Sequence, residues 1–174
     1  MTAFRAAVAT DAPALCALVN SGYRGESSKK GWTTEADLLG GQRTDEDKLR
    51  EMIAAKDSRV ELAFAEDGAL LGCVHLKKEA GGSCYLGMLT VDPQRQAAGL
   101  GKEILKRSEE LARAWGCGRM RMTVISVRGE LIAFYERRGY ARTGATEPFP
   151  SGDPRFGLPK VEGLMFVELA KALA

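Results

Sequence analysis

Residues 88–103 read MLTVDPQRQAAGLGKE, a run that passes from a strand through a glycine-containing loop into a helix. Apolar residues up to Val91 read as strand, and Asp92-Pro93 closes it. The loop Gln96-x-x-Gly99-x-Gly101 then enters a helix that buries Leu100, Ile104, Leu111 and Trp115. Lys102, Glu103, Lys106, Arg107, Glu110 and Arg113 fall mostly on its wet side. Glycines at a helix entrance let the backbone approach a ligand and expose successive amides at the positive end of the helix dipole. Such a place suits phosphate oxygens. The same glycines serve equally well to make a tight turn. Two familiar phosphate loops are excluded directly. A Walker loop needs glycine where Gln96 stands and Ser or Thr where Glu103 stands, and a dinucleotide fingerprint needs glycine at Ile104.

Gly116 stops this helix, and a strand with Met120, Met122, Val124 and Val127 follows, Arg119 and Arg121 alternating outward. A helix over residues 129–138 ends at Gly139, then come a strand at 140–143, a Pro-rich loop and a last strand at 164–169. Upstream, a strand at 85–91 contains Gly87, which marks a bulge or a close backbone approach. Val60, Leu62 and Phe64 alternate in a strand that turns at Asp67-Gly68 into a second arm at 70–76. Nearer the N-terminus lie a strand at 4–8 and a helix capped by Thr10 or Asp11, with Pro13 in its first turn, running through Leu15, Leu18 and Val19. A polar loop is expected at 21–31. Thr34-x-x-Asp37 opens a short helix through Leu38 and Leu39 that Gly40-Gly41 ends, and Thr44-x-x-Asp47 opens a longer one through Leu49, Met52 and Ile53. Hairpins mixed with a β-α-β crossover predict an α/β fold with a mixed sheet and helices packed on its faces.

The 174 residues suit one domain spanning 1–174, with 45% hydrophobic content for a single core. A net charge of +2, both signs being scattered, gives no basis for bulk attraction to nucleic acid or an anionic membrane. No apolar run spans a bilayer and no signal peptide is recognisable, so the cytoplasm is the expected compartment. Cys16, Cys73, Cys84 and Cys117 lack metal-ligand spacing, and His75 is the single histidine; the cysteines are expected as core fillers, without metal or disulfide.

Leu89-x-Val91-x-Pro93 followed by Gln96-x-x-Gly99-x-Gly101 resembles the acyl-CoA-binding motif of the GNAT N-acetyltransferase superfamily. A second motif of that family appears downstream as AFYERRGY at 133–140, and the element order is similar over nearly the whole chain. The resemblance implies a GNAT fold with about seven strands, its two central parallel strands splayed between 88–91 and 122–124. It implies acetyl-CoA as co-substrate and no metal. Main-chain groups of Leu89, Thr90 and Val91 would hold the pantetheine in the manner of an added strand. The amides of Gln96, Ala97, Ala98, Gly99, Leu100, Gly101 and Lys102 would hold the pyrophosphate, with Arg95 and Lys102 adding charge.

Chemistry follows from the same resemblance. Tyr135 matches the general acid, set against the departing sulfur, and a phenol of ordinary pKa about 10 carries its proton at neutral pH. The Leu89 N–H at a strand bulge is the implied oxyanion donor. Many relatives carry Asn and Ala where this chain has Arg128 and Leu131, so an Asn contact to the cofactor is not carried over; Arg128 is placed toward a phosphate instead. Residues 85–90 hold no carboxylate to serve as base. Glu35, Glu147 and His75 are the candidates, His75 reading more plainly as a half-buried structural histidine. In the family the first helical region and the loop before the last strand flank the acceptor. Trp32 and Phe149 would wall that pocket, with Glu35, Arg43, Asp153 and Arg155 orienting a charged small molecule. The plainer reading is a loop stiffened by four prolines at 148–159. The expected function is acetyl transfer to a small-molecule primary amine by direct attack in a ternary complex, and a homodimer is a further implication. The alternatives are a lysine or N-terminal protein acetyltransferase, a non-catalytic acyl-CoA sensor, and an interaction protein whose glycines only make turns.

Overall fold

In the computed structural model, residues 2–23, 39–40, 43–94, 99–149, 158–160 and 163–173 are described. The chain runs β1 (Ala3–Ala6), α1 (Ala12–Tyr23), β2 (Leu39–Gly40), α2 (Glu46–Ala54), β3 (Ser58–Phe64), β4 (Leu70–Glu79), β5 (Ser83–Val91), α3 (Leu100–Ala114), β6 (Arg119–Ile125), α4 (Gly129–Glu136), β7 (Ala141–Pro148), β8 (Leu158–Pro159) and β9 (Met165–Ala172). Seven strands form a mixed sheet in the order β1-β3-β4-β5-β6-β9-β7, antiparallel except where β5 meets β6. The expected mixed α/β architecture is present.

Alternation along the central strands divides the core. Val74, Leu76, Leu86 and Met120 point to one face and meet Leu100, Ile104, Ile132 and Tyr135 of α3 and α4. Leu62, Cys73 and Met88 point to the other and meet Leu15, Val19 and Leu49 of α1 and α2. Cys73, Cys84 and Cys117 fill buried positions as small apolar groups. Glu61 on β3 is fully buried, yet it is ion-paired to Arg59 and to Arg107 of α3, each at 2.8 Å, which ties the helix across the sheet.

Local chemistry explains most boundaries. Gly68, at φ 83°, makes the β3–β4 turn, where the Asp67 carboxylate accepts the Ala69 N–H. Gly116, at φ 80°, ends α3 while Cys117 N–H returns to the Ala112 carbonyl. Four expectations are corrected. The first strand stops at Ala6, leaving Val8 exposed. Asp11 does not cap a helix forward: its carboxylate accepts the Val8 N–H and pairs with Arg5, closing a single 3₁₀ turn ahead of α1. Helix α1 continues through Tyr23 because Leu15, Leu18, Val19, Gly22 and Tyr23 extend one buried face into the expected loop. Asp45, not Thr44, caps α2 by accepting the Lys48 N–H at 2.7 Å.

Others are smaller. Leu39 and Gly40 pair as a strand with Leu158 and Pro159 rather than closing a helix; residues 34–38 lie outside the described residues. β4 and β7 run longer than expected because their partners β5 and β9 continue beside them. β6 ends at Ile125 and Val127 is exposed. Helix α4 ends at Glu136.

Gly72 is a point of close approach. A Cβ there would lie 2.6 Å from the Thr90 carbonyl oxygen and 2.7 Å from Ile104 Cδ1. Gly72→Ala must therefore push α3 or β5 away, at a cost of about 1–3 kcal/mol. Urea unfolding of the variant checks this, with a lowered midpoint expected at unchanged slope.

Candidate active site

The sheet's central pairing is incomplete. β5 and β6 bond in parallel register only at Ser83 with Arg119, Cys84 with Met120 and Tyr85 with Arg121. Beyond Tyr85 the pairing between them stops among the described residues. On its other side β5 stays bonded to β4 as far as Val91, opposite Gly72. A bulge interrupts that ladder: between the pairs His75–Gly87 and Cys73–Thr90, β5 sets Met88 and Leu89 against Val74 alone. Met88 takes φ 56°, a left-handed conformation uncommon for a non-glycine residue. Its buried side chain holds it there, and its carbonyl accepts the Thr90 hydroxyl at 3.0 Å and the Cys73 thiol at 3.7 Å. The irregularity expected at Gly87 thus falls one residue later.

Where the strands part, a cavity of about 500 Å³ opens. Tyr135 of α4 lines it while being 4% exposed, its ring edge-on to Phe134 and Tyr140. Burial, reinforced by the Tyr23 and Tyr85 phenols and opposed by Arg128, pushes the Tyr135 hydroxyl above the ordinary phenol range. Tyr23, at the end of α1, donates its hydroxyl to the Leu89 carbonyl beside the bulge, and the Arg43 guanidinium lies 5.4 Å over its ring. Tyr85 shares a hydrogen bond of 2.9 Å with Thr123, under the Arg121 guanidinium. Arg121 is itself clamped by both oxygens of Glu79 at 2.7 Å, which raises its pKa further. Lys48, Lys77, Arg43 and Arg128 also line the cavity, so among the described residues its wall is richer in cations than in carboxylates.

Of the residues expected from the sequence, Leu89, Tyr135, Arg128, Arg43 and Phe149 meet at this one cavity, together with the base candidates Glu147 and His75. Phe149 leans on Phe166 with ring centres 5.3 Å apart and forms part of the wall. The Thr90 side chain is fully buried with its hydroxyl turned to Met88, so only its main chain faces outward chemistry. Val91 is buried likewise. Arg128 stands at the N-terminus of α4 beside Tyr135 and lines this cavity.

A second cavity, of about 520 Å³, lies along α3 and brings together Gly99, Lys102, Lys106, Arg138 and Lys171. Gly99 caps α3 at φ 71°, with open space where a side chain would stand. Leu100 and Gly101 are buried, and offer main chain only. Arg95, Gln96, Ala97, Ala98, Trp32, Glu35, Asp153 and Arg155 lie outside the described residues. Sequence reasoning missed Tyr23, Tyr85, Lys48 and Lys77. The continued helical spacing from Leu15 to Tyr23 was the available signal for the first; the others had none.

Known proteins share this fold. The chain is similar in fold to a proposed acetyltransferase, yncA, from Salmonella typhimurium, solved with its cofactor acetyl-CoA (TM-score 0.72, 18% identity, covering 100% of this chain and 95% of that one). It is similar also to a nourseothricin acetyltransferase (TM-score 0.68, 18% identity, 99% of each chain). A third is the ribosomal-protein-S18-alanine N-acetyltransferase of Escherichia coli (TM-score 0.72, 14% identity, 100% and 95%). No curated protein matches the sequence at a significant level. The Acetyltransferase (GNAT) family profile matches residues 28–140, which include the glycine loop and Tyr135. A parted pair of central strands, a glycine-capped helix and that profile lead to one assignment: the chain is an acetyltransferase of the GNAT family.

Proposed function

We propose that the chain transfers the acetyl group of acetyl-CoA to the primary amine of a small molecule, by direct attack within a ternary complex. The observation that carries this is the parting of β5 from β6 directly onto a cavity lined by Tyr135. Pantetheine contains two amides, and main-chain groups of residues 89–91 on the parted edge suit it as a substitute strand. The open backbone at Gly99 and the positive end of α3 suit the pyrophosphate, with Lys102 beside it. The residues present thus fit the co-substrate.

In this reading the Leu89 N–H at the bulge meets the developing oxyanion, and the Tyr135 hydroxyl gives its proton to the departing thiolate. The raised pKa of Tyr135 means that it is in the acid form throughout the physiological range. A cavity of about 500 Å³ is the size of a small-molecule pocket, which favours a small acceptor over a protein tail. Arg43, Lys48 and Lys77 on its wall favour an acceptor that carries an acidic group besides its amine.

Tyr135→Phe is expected to lower turnover about 10²–10⁴-fold while acetyl-CoA affinity changes little. Thiol release with amino acids, polyamines and aminoglycosides as acceptors, alongside calorimetry, measures both; undiminished turnover removes the acid role. Burial also has a titration signature. Tyr135 and Tyr140 are both raised, so the folded state holds these protons more tightly than the unfolded one. Their contribution to stability is complete below the ordinary phenol pKa of about 10 and is lost as pH rises above it. Ultraviolet titration should show these two phenols ionising only together with alkaline unfolding.

A further inference from the structure

His75 lies in β4, across the ladder from Gly87, and its ring lines the cavity that holds Tyr135. Directly opposed residues of an antiparallel pair share a face. A Cβ at Gly87 would meet the Tyr85 ring at 3.0 Å, so glycine there leaves room for that ring beside His75 on the cavity wall.

The ring's protonation pattern follows from its other contact. Nε2 lies 2.8 Å from the Ser58 hydroxyl oxygen, and that hydroxyl lies 2.7 Å from the Met52 carbonyl. A carbonyl only accepts, so the single hydroxyl proton of Ser58 belongs to that bond. Nε2 must then be the donor to Ser58, and the lone pair of the neutral ring sits on Nδ1. The Met52 carbonyl belongs to the last turn of α2, where carbonyls lack an intrahelical partner, so the direction of the Ser58 hydroxyl is set by the helix end.

Three cations face the ring: Lys77 from β4, Arg43 from the segment ahead of α2, and Lys48 from α2 itself. Burial first, and these charges after it, push the imidazolium pKa down to about 4. The ring is therefore neutral at pH 7. The carboxylates lining the cavity among the described residues are less suited. Glu79 is held by Arg121 through both oxygens, and Glu147 sits on the exposed edge strand β7.

Resting on the acetyl-transfer reading, we propose that His75 Nδ1 is the acceptor of the proton lost by the attacking nitrogen, with Ser58 as a positioning residue that holds the tautomer. The acceptor enters as the neutral amine, since so weak a base does not deprotonate a free alkylammonium. Its lone pair forms the C–N bond, and the carbonyl pair moves to oxygen, facing the Leu89 N–H. The nitrogen, now bonded to the acyl carbon and positively charged, is more acidic than the free ammonium and passes its proton to Nδ1. Collapse re-forms the carbonyl and breaks the C–S bond, and sulfur takes the Tyr135 proton. Net passage of one proton from imidazolium to phenolate through solvent resets the site.

Because His75 is the single histidine of the chain, its ring is observable without assignment. Nitrogen-15 NMR of histidine-labelled protein should show a protonated Nε2, a lone pair on Nδ1 and a neutral ring throughout pH 5–8, with the tautomer preference weakened in Ser58→Ala. An Nδ1–H tautomer, or titration near the ordinary value of about 6.5, overturns the proposal and leaves the acetyl-transfer reading standing. In thiol-release assays with whichever of glutamate, spermidine and kanamycin the wild type acetylates, His75→Ala should lose about 10²-fold or more in kcat at unchanged KM for acetyl-CoA. Added imidazole should restore part of that loss. Unchanged kcat, or a loss that imidazole does not relieve, overturns the proposal even where the tautomer is as expected. A wild type that turns over none of these amines removes the acetyl-transfer reading itself, and the role of His75 falls with it.

Discussion

Everything in the site depends on an interrupted ladder. Backbone amides inside a protein must bond to something, and a sheet normally satisfies them strand by strand. β5 and β6 satisfy each other over three residue pairs and then separate, next to a bulge in which two residues of β5 oppose one of β4. The bulge is held in place by side chains packed from both faces: Met88 is anchored among α1 and α2, Leu89 among α3 and α4. An edge of this kind inside a sheet offers main-chain donors and acceptors to a ligand of peptide-like character. Tyr23 takes up the Leu89 carbonyl from the α1 side, which ties the same short segment to a third element.

Separation of the strands also creates the site's electrostatic character. Tyr135 enters the gap from α4 and is buried there, so its proton is held rather than shed. The wall opposite carries Arg43, Lys48 and Lys77, and their field, added to burial, keeps the imidazole of His75 uncharged. One gap thus sets a protonated phenol and an unprotonated imidazole against a single cavity. Each group is thereby held at neutral pH in the protonation state from which its proposed role starts. The glycine-capped start of α3 and the second cavity, lined by Lys102, Lys106 and Lys171 with Glu103 and Glu109, lie along the same helix.

Much of this was legible in the sequence, for identifiable reasons. Strand 88–91, the Gly99 cap and the amphipathic stripe of α3 rest on local patterns with strong periodicity, and they stand where the sequence placed them. Leu89, Tyr135, Arg43 and Phe149 meet at one cavity although they are distant along the chain, which the family resemblance implied and periodicity alone did not. The bulge was displaced by one residue because Gly87 is the conspicuous local signal, while the left-handed residue is Met88, held by tertiary packing. Tyr23 was hidden by a polar run that follows it, although the helix face continues to include it. The state of His75 was not legible, since it depends on Ser58, on the end of α2 and on cations from two further segments. Local pattern carries none of that.

In the proposed reading, the edge of β5 turned toward β6 holds the acyl carrier through main-chain atoms. Amide hydrogen exchange, followed residue by residue with and without acetyl-CoA, tests it most directly. Added acetyl-CoA is expected to slow exchange at residues 89–91 and 99–102, leaving β1 and β7 unaffected. Exchange unchanged in those two segments under saturating acetyl-CoA would contradict it.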